Sequence, residues 1–213
     1  MDAREALLHA TLKVYAEAGT RGATTRRIAQ EAGVNEVTLF RHFGSKEALI
    51  REALGAGAER ALAVGLPAHP EDPEAELTAF CRQHHRALAE ARSVIRKVMG
   101  EFEEHPDACS VACETPVRIA NELHAYLVRL RAAGLASGDW NARAAASMLM
   151  GALFTDAMGR DCMPERFPYS ERDGIRHYVS LFVRAIGAHQ APVDRDQVRS
   201  IIRQRADGRR APR

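Results

Sequence analysis

An excess of charge of either sign is missing. Across 213 residues, 30 Lys and Arg stand against 28 Asp and Glu, a formal net charge of +2. That excludes a uniform coat for a polyanion, which needs a large basic surplus. Cysteine is scarce, and four in the whole chain make no disulfide framework. Long apolar runs are missing too. Asp2, Arg4, Glu5, Lys13 and Glu17 interrupt the N-terminus, so no signal-peptide core is visible there. The charge-free stretch of the Ala-rich part runs from Ala144 to Thr155, too short to span a bilayer. These absences predict a cytoplasmic protein with no membrane partner. Strand signals are lacking, since no run of β-branched residues alternates with period two, and no repeat is evident. Catalytic signatures are lacking as well: there is no HExxH, no GxSxG and no GxxxxGK followed by Ser or Thr. No histidine has a glutamate three residues before it, the pairing a carboxylate di-iron bundle requires. The chain is read as no enzyme, with no cofactor and no metal.

What is present is helical periodicity. Leu7, Ala10, Val14, Tyr15 and Ala18 mark one face of a first helix that Gly19 is placed to end. Thr24 and Thr25 can cap a second helix that Gly33 closes, Asn35 can cap a third over Glu36 to His42, and Ser45 a fourth. Prolines 67, 70 and 73 mark a connector. Residues 74–104 read as two helices meeting near Arg92 and Ser93, and residues 107–133 as another, with Pro116 expected to kink it or mark a late start. Helices at 141–161 and 171–188 complete an all-α chain.

The charge is unevenly spread. Residues 194–213 hold seven Arg and three Asp, a local +4, which leaves −2 on the rest. Between Thr20 and Lys46, five basic residues face two glutamates, a local +3. That second patch coincides with a helix, a tight turn through Gly33 and a second helix. Ile28, Ala29 and Val34 are placed to lock the pair, and Leu39 and Phe43 to hold the second helix on a core. This is helix-turn-helix patterning, in which the second helix enters a DNA major groove.

The set Tyr15-Ala-Glu-Ala-Gly19, Thr24-Thr25, Ile28-Ala29, Ala32-Gly33-Val34, Thr38-Leu39-Phe40, His42-Phe43 and Ser45-Lys46-Glu47-Ala-Leu49 resembles the TetR family of bacterial transcriptional regulators. The resemblance covers about a quarter of the chain by residue; the remainder matches in layout only. It implies an all-α protein with an N-terminal three-helix helix-turn-helix DNA-binding domain (1–46), a larger helical ligand-binding and dimerisation domain (47–190) and a basic tail (191–213). It also implies a homodimer on a pseudo-palindromic double-stranded operator, most often repressing, released by a small-molecule effector whose identity the sequence does not state.

The same resemblance assigns DNA contact to Thr24, Thr25, Arg26, Arg27, Asn35, Glu36, Val37, Thr38, Phe40, Arg41, His42 and Lys46. Thr25, Thr38, His42 and Lys46 are expected at phosphates. Arg26 suits guanine O6 and N7, Glu36 can accept from cytosine N4, and Val37 can meet a thymine methyl. Phe40 stands where relatives usually have Tyr, so one phosphate hydrogen bond is expected to be missing.

In the body, Phe80, His84, Met99, Phe102, Cys113, Leu123, Tyr126 and Leu127 are candidates to line an effector pocket, with His85 and His124 as further polar anchors; plain core is the competing reading. Cys109 and Cys113, one turn apart, with His105 a further turn back, form a possible thiol or metal sensor, against the plainer reading of two small apolar positions. Ala144, Ser147, Met148, Gly151, Ala152, Thr155 and Gly159, mostly small, allow close helix approach. Paired with Val179, Phe182 and Ile186 of the last helix they are assigned to a four-helix dimer interface. A helical-bundle enzyme or an interaction module without sequence-specific DNA binding is the alternative; neither accounts for both halves of the chain.

Overall fold

The computed structural model describes residues 2–61, 65–104 and 106–188. Among the described residues there are nine α-helices and no strand: α1 (Ala3–Gly22), α2 (Thr25–Glu31), α3 (Glu36–Phe43), α4 (Lys46–Ala61), α5 (Pro73–Glu90), α6 (Arg92–Gly100), α7 (Pro106–Ala132), α8 (Ala142–Gly159) and α9 (Glu171–Ala185). A single 3-10 turn, Pro164–Arg166, precedes α9. The basic tail 191–213, His105 and the side chain of Cys109 lie outside the described residues.

The helix starts follow from side-chain caps. Asp2 accepts from Glu5 N while Glu5 returns a hydrogen bond to Asp2 N, a reciprocal box that satisfies two otherwise orphaned donors. Thr24 accepts from Arg27 N at 3.3 Å, Asn35 from Val37 N at 2.8 Å and Ser45 from Ala48 N at 3.0 Å. Gly19, expected to end the first helix, has φ 66° and ψ −170°, a region open in practice only to glycine. The helix is broken there, and one further turn carries the chain to Gly22.

Leu7, Ala10, Val14 and Tyr15 of α1 pack with Ile28, Leu39, Phe43, Leu49 and Ile50 in an N-terminal core. Burying each large apolar side chain contributes roughly 1.5–3 kcal/mol. That core also takes Val98 from α6, far along the sequence. A second core gathers Leu77, Phe80 and Cys81 of α5, Ile119, Leu123, Tyr126, Leu127 and Leu130 of α7, Leu149 and Leu153 of α8, Ile175, Val179 and Phe182 of α9, and Ile186 just past it. Of the two expectations for Pro116, a kink or a late start, the late start is not what forms. The α7 helix begins at Pro106 and runs through Pro116 to Ala132. Proline costs the helix one hydrogen bond, and the continuous stripe from Ile119 to Leu130 buried against the body outweighs it.

Helix α6 ties the two cores together. Its C-terminal Val98 sits in the first, while its arginines grip the end of α8. Arg92 Nε donates to Ala157 O at 2.6 Å, and Arg96 donates to Met158 O and to the Asp161 carboxylate, the latter at 2.9 and 2.5 Å. The last carbonyls of α8 form the negative end of a helix dipole, which favours cations there.

Candidate nucleic-acid interface

The recognition geometry is set by the turn between α2 and α3. Gly33, with φ 67°, lets Val34 N reach back to Ala29 O at 3.0 Å, so α2 closes and α3 begins two residues later. Leu39 and Phe43 are the buried face of α3. The opposite face is open: Val37 is 71% exposed and Phe40 47%, and Asn35, Arg41 and His42 are exposed as well. Arg26 is exposed on α2, and Thr38 is half-buried. Each of these side chains except the half-buried Thr38 is exposed to solvent.

Several of the expected contacts already have partners within the chain. Arg27 forms an ion pair with Glu17 at 2.5 Å. Lys46 Nζ donates to Thr20 O at 3.1 Å, which holds the start of α4 on the last turn of α1 and leaves two further protons on the ammonium. Thr25 Oγ1 donates to Glu36 Oε1, joining the first residue of α2 to the first residue of α3. The hydroxyl proton expected at a phosphate is therefore spent inside the motif. Thr24 accepts at the α2 cap.

The pocket candidates separate into two groups. Phe80, Leu123, Tyr126 and Leu127 are buried in the second core, and His84 stacks beside Phe80 with ring centroids 6.5 Å apart. Met99, near the end of α6, and Phe102, in the turn just past it, are instead 57% and 54% exposed, and Cys113 is exposed on α7. These three are not brought to Phe80. His124 is half-buried. Among the described residues, no group of three or more His, Cys, Asp or Glu could hold a metal, and no helix is long and apolar enough to cross a membrane.

The dimer candidates divide as well. On α8, Ala144, Ser147, Met148 and Gly151 are exposed and Ala152 and Thr155 half-buried, one outward stripe. Gly159 is buried, and a β-carbon there would meet the Phe167 ring at 2.7 Å. Val179 and Phe182 on α9 and Ile186 at its C-cap face inward, 0%, 2% and 2% exposed, because the chain's own α5 and α8 pack on that helix. Among the exposed residues of α9 are His177, Leu181, Arg184 and Ala185, with Leu181 60% exposed.

Two buried polar groups stand out: Asp156, which carries no expectation from the sequence, and the pocket candidate His84. Asp156, fully buried, accepts from His85 Nε2 at 2.7 Å, Arg160 Nε at 2.6 Å and Tyr178 OH at 2.8 Å. Burial alone raises its pKa, but the hydrogen bonds from Arg160, Tyr178 and His85 outweigh that and hold the carboxyl below its ordinary range. A lone acid directly after the charge-free run Ala144 to Thr155 was the available signal. His84, by contrast, leaves Nδ1 buried without a hydrogen-bond partner among the described residues. Burial, then the neighbouring His85, pushes its pKa down to about 4.

Residues 7–53 match the family model of bacterial regulatory proteins, tetR family. The class D tetracycline repressor protein of Escherichia coli is 29% identical over 119 residues, which is 56% of this chain and 54% of that protein. The chain thus spans about half the length of that repressor in the match. Among solved structures, a transcriptional regulator from Rhodococcus sp. Rha1 superimposes with a TM-score of 0.67 at 24% identity, covering 90% of this chain and all of that one (100%). Salmonella enterica GusR gives a TM-score of 0.69 at 20% identity, covering 86% and 95%. At these identities the structural likeness establishes the fold.

Proposed function

We propose that the chain, whose residues 7–53 match the family model of bacterial regulatory proteins, tetR family, is a cytoplasmic, ligand-responsive transcriptional regulator of that family. It binds a pseudo-palindromic operator as a homodimer, represses, and is released by a small-molecule effector. The observation that carries this reading is the open face of α3. Val37, Phe40, Arg41 and His42 stand out from a helix whose other face is sealed by Leu39 and Phe43, the arrangement a major groove admits.

One recognition helix buries too little surface for tight specific binding, so two copies must act together. The outward stripe of α8 and the Leu181 face of α9 supply the symmetric contact. The effector belongs to the body, where His84 offers an unsatisfied nitrogen beside the apolar ring of Phe80. An effector releases DNA only by binding the DNA-incompetent arrangement more tightly.

The test is selection of bound duplexes from a random library by the full chain, followed by gel shift. A two-fold related pair of half-sites one helical turn apart is expected. Arg26→Ala and Arg41→Ala are expected to weaken binding by about 10-fold or more. Selection of no sequence, or binding undiminished in both variants, overturns the reading.

A further inference from the structure

Glu36 is the first residue of α3 and half-buried. A carboxylate at the tip of a helix that is to enter a groove lined by phosphates opposes binding by its charge, so its presence there requires a compensating contact. Among the described residues it has no ion-pair partner, although two other glutamates of this region do: Glu17 pairs with Arg27 and Glu31 with Lys13, each at 2.5 Å. What holds it instead is a neutral donor, the Thr25 hydroxyl, which takes Oε1. Oε2 accepts no hydrogen bond among the described residues and remains available.

A carboxylate has only acceptors, so in the major groove it is matched by an exocyclic amine. Cytosine N4 is the amine that carboxylates read, whereas guanine O6 and N7 and thymine O4 are acceptors that repel it. A carboxylate on a free side chain swings away from a repelling base and loses its discrimination. One tied at Oε1 cannot, so the wrong base is penalised as well as the right one favoured. Thr25 has a single hydroxyl proton, and that proton is engaged with Glu36.

We propose that Thr25 is a positioning residue for sequence specificity: its hydroxyl holds the Glu36 carboxylate so that Oε2 accepts the amino hydrogen of one cytosine in each half-site. This inference rests on the operator reading above and assigns a base to it. The same contact replaces the expectation that the Thr25 hydroxyl serves a phosphate.

The experiment is selection from random duplexes by the full-length wild type and by Thr25→Val, Thr25→Ser, Glu36→Ala and Glu36→Gln, with circular dichroism to confirm that each variant is folded. Competition between the selected duplex and one with that cytosine replaced by thymine then reads the discrimination ratio. Wild type is expected to discriminate by about 10-fold or more, within the range of one good base contact. Glu36→Ala and Thr25→Val are expected to reduce the ratio towards one at that position only. Thr25→Ser is expected to restore it, and Glu36→Gln to move the preference to adenine.

Should Thr25→Val weaken all duplexes equally and leave the ratio intact, the hydroxyl is a phosphate contact and the proposal fails. It fails equally if Glu36→Ala selects the same cytosine. In both of those cases wild type still enriches a site. A wild type that enriches none overturns the operator reading itself, so the two failures are told apart.

Discussion

Thr20, in the last turn of α1, is held by Glu101, just past the end of α6: Thr20 Oγ1 donates to Oε2 at 2.7 Å, and Thr20 N lies 3.2 and 3.1 Å from the two carboxylate oxygens. Tyr15 OH adds a donor at 3.1 Å. The turn that precedes the recognition motif is thereby fastened to the helix whose arginines grip α8.

Replacing Glu101 with glutamine removes the charge from these bonds and is expected to cost about 1 kcal/mol. Charge-assisted bonds are worth more than this, and partial exposure reduces them. Burial works to raise the Glu101 pKa, but the Thr20 side chain and backbone, Tyr15 and Lys97 outweigh it, so the pKa lies below its ordinary 4.5. The folded state therefore binds this proton less readily than the unfolded chain. The contribution is full above that value and is lost as pH falls through the depressed pKa. Thermal melts of wild type and Glu101→Gln at neutral pH and near pH 3 check this: the gap is expected to close in acid.

Gly19→Ala tests the same junction from the other side. The positive φ of Gly19 disfavours any β-carbon, and an alanine methyl would also run into Glu101 Oε1 and approach Lys97 Cε at 2.5 Å. Backbone strain alone costs on the order of 1–3 kcal/mol, and displacement of Glu101 adds to it. A clear drop in the urea midpoint is expected, with Gly33→Ala as a control that keeps the positive φ but meets no atom within 4 Å. Equal losses in the two variants would mean that the contact with α6 contributes nothing.

The helix-turn-helix was legible because its determinants are local. Caps at Thr24 and Asn35, a turn glycine and the Leu39 and Phe43 spacing all lie within a few turns of one another. Glu101 was not, since its partner lies 81 residues away and no periodicity links a turn residue to a distant helix end. The α9 assignments show a different limit. Periodicity identifies Val179, Phe182 and Ile186 as an apolar stripe but does not say whether the chain itself or a second copy covers it. The pronounced stripe is the one the chain buries for itself, and the sign of a second surface was Leu181, an apolar residue out of phase with it. Met99 and Phe102 mislead for the same reason: apolar identity was read as burial, whereas the end of α6 and the turn after it leave both in solvent.

His84 predicts an acid sensitivity. Its pKa is pushed from 6.5 to about 4 by burial and by His85, so the unfolded chain takes up a proton that the native state refuses. Stability from this source is intact above pH 6.5 and declines as pH falls from there towards 4, by at most on the order of 3 kcal/mol. His84→Leu removes the titrating group and keeps the site apolar. Urea unfolding at half-unit steps between pH 7 and pH 5 is expected to show a falling midpoint for wild type and a flatter one for the variant, in a range above the carboxylate transitions. Parallel curves would mean that His84 is protonated without cost in the native state.

The outward faces of α8 and α9 predict how the proposed dimer is broken. Gly151 is exposed, and a β-carbon built on it meets nothing within 4 Å in one copy of the chain, so Gly151→Arg is expected to leave the monomer's melting unchanged. Leu181→Glu likewise alters a side chain that is largely in solvent in one copy. In a symmetric dimer each substitution acts twice, placing a bulky cation in a close helix approach or a buried unpaired carboxylate at the contact, and leaving a charge buried without its partner costs several kcal/mol. Light scattering of wild type is expected to give twice the 23.4 kDa chain mass, and both variants the chain mass itself. Val179→Glu is the contrast: its side chain is fully buried in the chain's own core, so it is expected to unfold the protein rather than dissociate it. Wild type and Leu181→Glu that scatter alike would place the dimer contact elsewhere on the molecule.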